Sequence, residues 1–563
     1  MRHHTAAGYG TDRSPILLPF SHWSAHVHRK ASVLPLDHLT LTRRQIVQGL
    51  GVGLGVTLAN LALSHRLLAG PRLIANPFTL GVASGDPAAD GFVIWTRLAP
   101  KPLEPEGGMA REAVEVKWTV AADEAMRRPI RSGIAVARPQ ASHTVHVEVG
   151  GLEPGREYFY RFEVAGHQST QGRARTFPVA GREGQVRFGS AGCQRYEDGL
   201  FTAWRRIAED RLDFIVHYGD YIYEYKAISE KAKASRKRPV IRDMPGMPGK
   251  CLTLEDFRNR YAIYKLDPDL QAAHAASTFI SSFDDHEVEN DWAGFVSRKR
   301  DVTRADFARR REAAFRAWYE HMPLRAPQTP RGPDILAYRR LRIGQLVQLD
   351  ILDTRQHRSP QPCGGGWKAC PEAKAAHRTM LGAEQEKWLY SGFRESQAQW
   401  SVLAQQVPLS RLDRDPDPNT LETQMDKWDG AEAARRRLCE AAEAAKLRNL
   451  VVLAGDVHHN RALEIRRDFD DPASANIGVE FVATSISSAG NGTDRPKRTD
   501  TLLTANPHLK FFNSQRGYVR HVVDRKHWQA DYMVLDKVSE AGGKLSRRAS
   551  FVVEHASRTL GKA

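Results

Sequence analysis

Beyond its first seventy or so residues the chain has no long apolar run, it shows no internal repeat, and it holds only five cysteines. The first absence excludes a membrane span in the mature chain, which needs about 20 consecutive apolar residues. The second excludes solenoids and propellers, whose stacked units repeat at a fixed period. So few cysteines exclude a disulfide-dense scaffold. Gly364-Gly365-Gly366 is followed by no Lys-Ser/Thr at the spacing that cradles a phosphate, so a P-loop is absent too. The formal charge of +16 has no aromatic-interleaved basic stripe and no zinc-finger spacing beside it. Charge spread in this way supports no specific nucleic-acid reading and is compatible with an anionic substrate. What remains is a soluble chain of 563 residues, 41% hydrophobic and 26% charged, long enough for two domains and a leader.

The leader is the most legible local feature. Leu39-Thr40-Leu41-Thr42-Arg43-Arg44 precedes a Gly-rich apolar run from Ile46 to Leu63, with no acidic residue between Asp37 and Asp86. Paired arginines before a weakly hydrophobic stretch resemble a twin-arginine export signal. A membrane anchor is the competing reading, weakened by the glycines, Gln48 and Asn60. Cleavage near Ala62-Leu63-Ser64 or Leu68-Ala69-Gly70 would leave an exported protein, periplasmic or at the cell surface. Outside the cytoplasm Cys363 and Cys370, flanking a Gly-Gly-Gly-Trp loop, can close a short disulfide. Cys193, Cys251 and Cys439 then leave at least one thiol unpaired, and metal ligation is a reason to keep one.

Along the chain the grammar changes once. Val114, Val116, Trp118 and Val120, then Val145, Val147 and Val149, alternate with period two, and Pro154-Gly155 feeds a strand carrying Tyr158 and Tyr160. That pattern resembles the tyrosine corner of immunoglobulin-like and fibronectin-like sandwiches. From Val186 onward, apolar runs at 186–189, 214–218, 278–283, 345–352, 450–453 and 479–483 alternate with helical stretches such as 304–321 and 430–447. Alternation of this kind predicts an α/β layer architecture. The expected division is a leader over 1–75, a small β-sandwich over 76–180 and a catalytic domain over 181–535. A polar tail over 536–563 is expected to be loose or a helix over the site. Basic residues 226–250 and the 363–370 loop read as insertions and plausible pocket walls.

Chemistry-bearing residues gather where the strand candidates end, the place ligands favour in α/β folds. Cys193-Gln follows the first, Gly219-Asp220-Tyr221-Ile222-Tyr223 the second, Asp284-Asp285-His286-Glu287-Val288-Glu289-Asn290-Asp291 the third and Gly455-Asp456-Val457-His458-His459 the fifth. A lone Asp or His in a loop is usually a cap, but four such clusters in register with strand ends point to one metal site. A thiolate and a phenolate suit a hard transition ion such as ferric iron. Asp285, Asn290 and nearby carbonyls suit calcium.

Gly219-Asp220-x-x-Tyr223 matches a block of purple acid phosphatases and calcineurin-like metallophosphoesterases. The fuller set resembles the PhoD-type alkaline phosphatases: Cys193-Gln, residues 218–224, 284–290, Leu352-Asp-Thr-Arg-Gln356, Leu453 to His458, the Asn76 to Pro87 start and Arg516-Gly-Tyr-Val-Arg520. The resemblance spans about residues 76–535. It implies an αββα sandwich metallophosphatase domain preceded by the small β-sandwich, and a centre of one Fe3+ and two Ca2+. It implies hydrolysis of phosphate monoesters and diesters by a hydroxide or oxide activated on the metals. Iron falls to Cys193, Asp220, Tyr223 and Asp456, with Asp220 shared with calcium. Asp285, Asn290 and His458 are further ligands or groups in direct contact with them, Asp285 standing where the wider superfamily has Asn.

Arg355 is expected as a bidentate clamp on the phosphoryl oxygens, or else as a partner of Asp353. His286 is expected to donate to the leaving group, or else to orient a ligand, and His458 is a third catalytic candidate. The expected partners are phosphate esters and the twin-arginine export machinery, and the expected state is a monomer. A dedicated phosphodiesterase or phospholipase D-type hydrolase on the same metals is the rival enzyme. A surface-binding protein with a degenerate second domain is the rival outside catalysis.

Overall fold

The computed structural model describes residues 73–563 apart from 237, 238, 247, 248, 418 and 472, so the twin-arginine segment lies outside the described residues. The first eight strands are β1 (Val82–Gly85), β2 (Phe92–Arg97), β3 (Val114–Ala121), β4 (Pro129–Ala137), β5 (Thr144–Val149), β6 (Glu157–Val164), β7 (His167–Gln168) and β8 (Gly172–Arg175). Five of them, β3, β4, β6, β7 and β8, form a small antiparallel sheet. The other three join a sheet of ten. The Tyr158 hydroxyl accepts from the Glu153 N–H at 2.9 Å and donates to the Glu153 carbonyl at 3.2 Å, which is the tyrosine-corner bond.

The later strands are β9 (Val186–Ala191), β10 (Phe214–His217), β11 (Thr278–Ser281), β12 (Arg339–Ile343), β13 (Val347–Ile351), β14 (Trp367–Lys368), β15 (Trp400–Ala404) and β16 (Thr423–Gln424). They are followed by β17 (Leu450–Ala454), β18 (Asn460–Arg466), β19 (Asn476–Val482), β20 (Leu509–Asn513), β21 (Gly517–Val523), β22 (His527–Leu535), β23 (Leu545–Glu554) and β24 (Gly561–Lys562). The ten-stranded sheet runs β24-β23-β22-β21-β9-β10-β11-β1-β2-β5 and the seven-stranded sheet runs β12-β13-β15-β17-β19-β18-β20. Their inner faces meet in a core that includes Phe188, Phe214, Val402, Val451, Phe481 and Tyr532. Helices Thr202–Asp210, Leu254–Lys265, Pro268–Ala276 and Arg304–His321 lie on one outer face, packing Trp204, Tyr261, Phe315 and Trp318 against it. Gly382–Glu395 and Glu432–Ala444 cover the other through Leu389 and Leu438. The result has the α/β layering predicted by the alternation of strands and helices, in the αββα form that the family resemblance implies.

The N-terminal segment is continuous with the catalytic sheet, and the expected C-terminal tail is strand. No gap in packing separates 76–180 from the catalytic domain, because β1 pairs in parallel with β11, Ser84 opposite Thr278, and carries β2 and β5 into the catalytic sheet. Residues 536–563 are neither a loose tail nor a helix. Strand β23 pairs with β22 from His527↔Glu554 to Leu535↔Leu545 and buries Phe551 and Val553, whose period-two spacing the surrounding charges mask.

Candidate metal centre

Strands β9, β10 and β11 are parallel to one another, as are β13, β15, β17 and β19, so within each run the C-terminal ends share one edge. The loops leaving these ends bring the clusters together. Cys193, Asp220, Asp456 and His458 all adopt left-handed backbone, with φ of 53°, 55°, 66° and 56°. Each costs about 1–2 kcal/mol relative to an extended or helical residue. Strain concentrated at the ends of rigid strands is a mark of a built site. Close approach is also built in, since a Cβ on Gly192 or on Gly455 would strike the ring of Tyr218, which packs beneath both loops.

Ligand atoms of Cys193, Asp220 and His458 lie within 4.8 Å of one another, as do those of Asp220, Asp285 and His286, and those of Asp284, Asp285 and Asp456. Asp220 thus stands between two groups. The Tyr223 hydroxyl donates to Asp220 Oδ2 at 2.8 Å, sits 3.1 Å from His458 Nε2 and accepts from Ser488 Oγ at 2.7 Å. Asp456 gathers with Asp284 and Asp285, and its backbone N–H faces the Cys193 thiol. Asn290 Oδ1 accepts from the Tyr225 hydroxyl at 2.8 Å at the half-buried edge of the cluster.

Burial first, then the neighbouring carboxylates of Asp285, Glu287 and Asp456, raises the Asp220 carboxyl well above the usual range, with His286 opposing. Burial and then Asp220 likewise push up the Cys193 thiol and the Tyr223 phenol. Asp284 Oδ2 and Asp285 Oδ1 are buried without a hydrogen-bond partner. Negative groups this crowded fit bound cations, which let carboxylate, thiol and phenol ionise together. His286 is pulled in opposite directions: burial disfavours its charge, but Asp220, Asp285 and Glu224 outweigh it and raise its pKa well above the ordinary value. Its Nδ1 lies 2.7 Å from Glu224 Oε2 and its ring rests 4.1 Å from that of Tyr223.

Arg355 departs from the expected clamp. Its guanidinium is fully buried, with Nε donating to Asp284 at 2.5 Å, one terminal nitrogen to both oxygens of Asp426 at 2.9 and 3.1 Å, and the other to Asp456 at 3.1 Å. Asp285 lies 3.6 Å from it. Donors committed to carboxylates at this depth are not free for a phosphate. Nor is Asp353 its side-chain partner, since that carboxylate takes the Arg355 backbone N–H at 3.0 Å.

Ser488, Asp426 and Lys427 escaped the sequence, and Glu287 was legible only as a member of the third cluster. Ser488 follows β19, the sixth strand end, and the run Thr484-Ser-Ile-Ser-Ser488 was a visible polar cluster of the same kind. Glu287 accepts the backbone N–H groups of Asp220, Tyr221 and Asp284, tying two loops together. Asp426 and Lys427 follow β16, a two-residue strand with no hydrophobic period to reveal it.

The centre opens through half-buried Asn290, Asp291, Lys427, Asp456 and His458. Beside His458 lies a cleft of about 660 Å³, whose walls include Pro239 and Ile241 from the basic stretch, Asn491 and Ser539. Among the described residues no helix is long and apolar enough to cross a membrane.

Two sequence families match. The profile described as PhoD-like phosphatase covers residues 188–532, and that of the PhoD-like phosphatase N-terminal domain covers residues 65–178. Alkaline phosphatase D of Bacillus subtilis (strain 168) is 43% identical over 521 residues, 92% of this chain and 88% of that protein. A solved structure of PhoD superposes with a TM-score of 0.84 at 43% identity, over 88% of this chain and 93% of that one. A purple acid phosphatase from yellow lupin (Lupinus luteus) seeds gives 0.49 at 12% identity, over 84% of this chain and 73% of that one, too distant to carry an argument.

Proposed function

The chain belongs to the PhoD-like phosphatase family and is a phosphoric ester hydrolase, and on that premise we propose an exported alkaline phosphatase acting on both monoesters and diesters. Its centre would hold one Fe3+ and two Ca2+, iron on Cys193, Asp220, Tyr223 and Asp456, with Asp220 shared with calcium and with Asp285, Asn290 and His458 as further ligands or groups in contact with them. The observation that carries this reading is the buried carboxylate group at the parallel strand ends, with Asp284 Oδ2 and Asp285 Oδ1 lacking a hydrogen-bond partner. When bound, such cations neutralise phosphoryl oxygens and lower the pKa of water.

The protein's own groups have distinct parts. Arg355 locks Asp284, Asp426 and Asp456 in place, so those carboxylates keep their aim when the site loads. Ser488 orients the Tyr223 hydroxyl. His286, its ring fixed by Glu224 through Nδ1, is placed to pass a proton to the leaving oxygen. His458, half-buried between Tyr223 and the cleft, faces the departing alcohol. Export follows from Arg43-Arg44 and the apolar run behind it, a route that carries proteins already folded around a metal.

The cleft favours a second reading, a dedicated diesterase of the phospholipase D type, because about 660 Å³ beside His458 has room for a second ester arm. Assay of p-nitrophenyl phosphate beside bis(p-nitrophenyl) phosphate separates the two. Turnover of both supports the proposal, and negligible monoester turnover leaves the diesterase. Elemental analysis of protein from its native compartment, beside Cys193→Ser, tests the metals: iron retained with full activity in that variant removes the thiolate assignment.

A further inference from the structure

We propose that Lys427 is the residue that binds the phosphoryl oxygens at the mouth of the centre, the part that Arg355 is too enclosed to play. The inference rests on the phosphatase reading and deepens it.

Three cations stand on the Asp426 side of the site, and they differ in access. The side chain of Arg355 is 0% exposed, that of Arg358 2% and that of Lys427 13%. Asp426 does not need the lysine, since it already accepts from Arg355 at 2.9 Å, from Gln361 at 2.5 Å and lies 3.2 Å from Arg358. The Lys427 ammonium, 3.1 Å from Asp426, also pairs with Asp456 Oδ2, and Asp456 is itself anchored to Arg355 through its other oxygen at 3.1 Å. Lys427 is therefore the redundant partner of two carboxylates that are held without it. Cations bound on Asp285 and Asp456 would take over those carboxylates and release the Lys427 ammonium to meet an incoming phosphate. A guanidinium fixed by carboxylates cannot move, whereas an ammonium on a four-carbon stem can leave one oxygen for another a few ångströms away.

The backbone supports the same division of labour. Strand β16 pairs with β14, the Met425 N–H donates to the Gly366 carbonyl at 2.9 Å, and the Gly430 N–H donates to the Lys427 carbonyl at 2.9 Å. Trp428 is buried, with Nε1 donating to Gln405 at 3.1 Å. The arm is rigid on both sides of Lys427, and its side chain supplies the freedom.

The test compares wild type with Lys427→Met, which keeps the stem, and Lys427→Arg, which keeps the charge. Readouts are metal content, calorimetric binding of inorganic phosphate to the metal-loaded protein, and KM and kcat for p-nitrophenyl phosphate. A charged hydrogen bond contributes about 1.5–3 kcal/mol, which is about 10- to 100-fold in affinity. Lys427→Met is expected to weaken phosphate binding and raise KM by about that factor at unchanged metal content, with Lys427→Arg recovering part of the loss. Phosphate binding equal to wild type overturns the inference. So does metal loss with unchanged phosphate affinity per loaded site, which would make Lys427 a positioning residue for Asp456. A thermal midpoint matching wild type in either variant excludes misfolding. Failure of the phosphatase reading shows separately, as metal-loaded wild type that neither turns over the ester nor binds phosphate.

Discussion

At the scale of single residues, each carboxylate of the centre is exposed to opposing forces that only its neighbours decide. Ser488 shows how little chemistry a supporting residue needs: one hydroxyl, 2.7 Å from the Tyr223 oxygen and 2.7 Å from the Cys193 carbonyl, ties two proposed iron ligands together. Ser488→Ala is expected to lower metal retention and activity by about tenfold, the usual effect of losing an outer hydrogen bond. Dialysis against a chelator followed by elemental analysis measures it, and retention equal to wild type would show that Tyr223 is aimed by packing alone. Lys265 is a residue the chemistry does not use. Burial drives its ammonium down to about 7, and its nitrogen rests 4.2 Å over the Trp95 ring and 5.2 Å over that of Tyr221. Free lysine titrates near 10.4, so between about pH 7 and 10 the unfolded chain binds a proton that the folded one does not. Stability contributed by this site therefore rises with pH across that window, by roughly 2–4 kcal/mol after allowance for the two ring contacts. Urea unfolding of Lys265→Met between pH 7 and 10 is expected to show a flatter profile than wild type, and an unchanged slope refutes the shift.

At the scale of elements, the site depends on pieces that look peripheral in the chain. The Cys363–Cys370 disulfide is formed, and its loop carries β14, which pairs with β16 two residues before Asp426. A loop that sequence marks as an insertion thus braces the arm of Lys427. Reduction with dithiothreitol, or Cys363→Ser with Cys370→Ser, is expected to lower kcat/KM several-fold while the main unfolding transition stays in place. Equal kinetics in the oxidised and reduced forms would show that the β14–β16 pairing holds by itself. Helices read more faithfully than strands here. The span 304–321 matches the pattern of the sequence because Thr303 caps its start, accepting from the Asp306 N–H, and its apolar residues recur at helical spacing. Strands β12, β15, β18 and β20 to β23 are not legible in the same way, since short runs rich in Trp, Arg and His carry no period that separates strand from loop.

For the molecule as a whole, the ten-stranded sheet makes the N-terminal segment part of the catalytic body. Trp95 on β2 is fully buried and donates to the Glu320 carbonyl at 2.9 Å, and β1 completes the edge of β11, whose loop carries Asp285. A chain starting at residue 179 would expose that edge and the Trp95 socket. It is expected to be insoluble or inactive, and the protein from residue 73 on is expected to unfold in one transition by calorimetry. A soluble, active 179–563 fragment would show two independent bodies instead.

The sequence by itself determined the family, the layered αββα class and the identity of the residues at the strand ends, because these are local: a ligand type placed directly after an apolar run survives any detail of packing. It also placed Cys193, Asp220, Tyr223, Asp285, Asp456 and His458 in one hypothesis. Only the tertiary structure decided what each charged group faces. Arg355 and Lys427 lie 72 positions apart in the chain yet share Asp426 and Asp456, and their exposures, not their types, assign one to hold carboxylates and the other to the mouth. The continuous sheet from β5 to β24 was likewise invisible, because strand pairing across such separations depends on which edges remain free once the whole chain has packed.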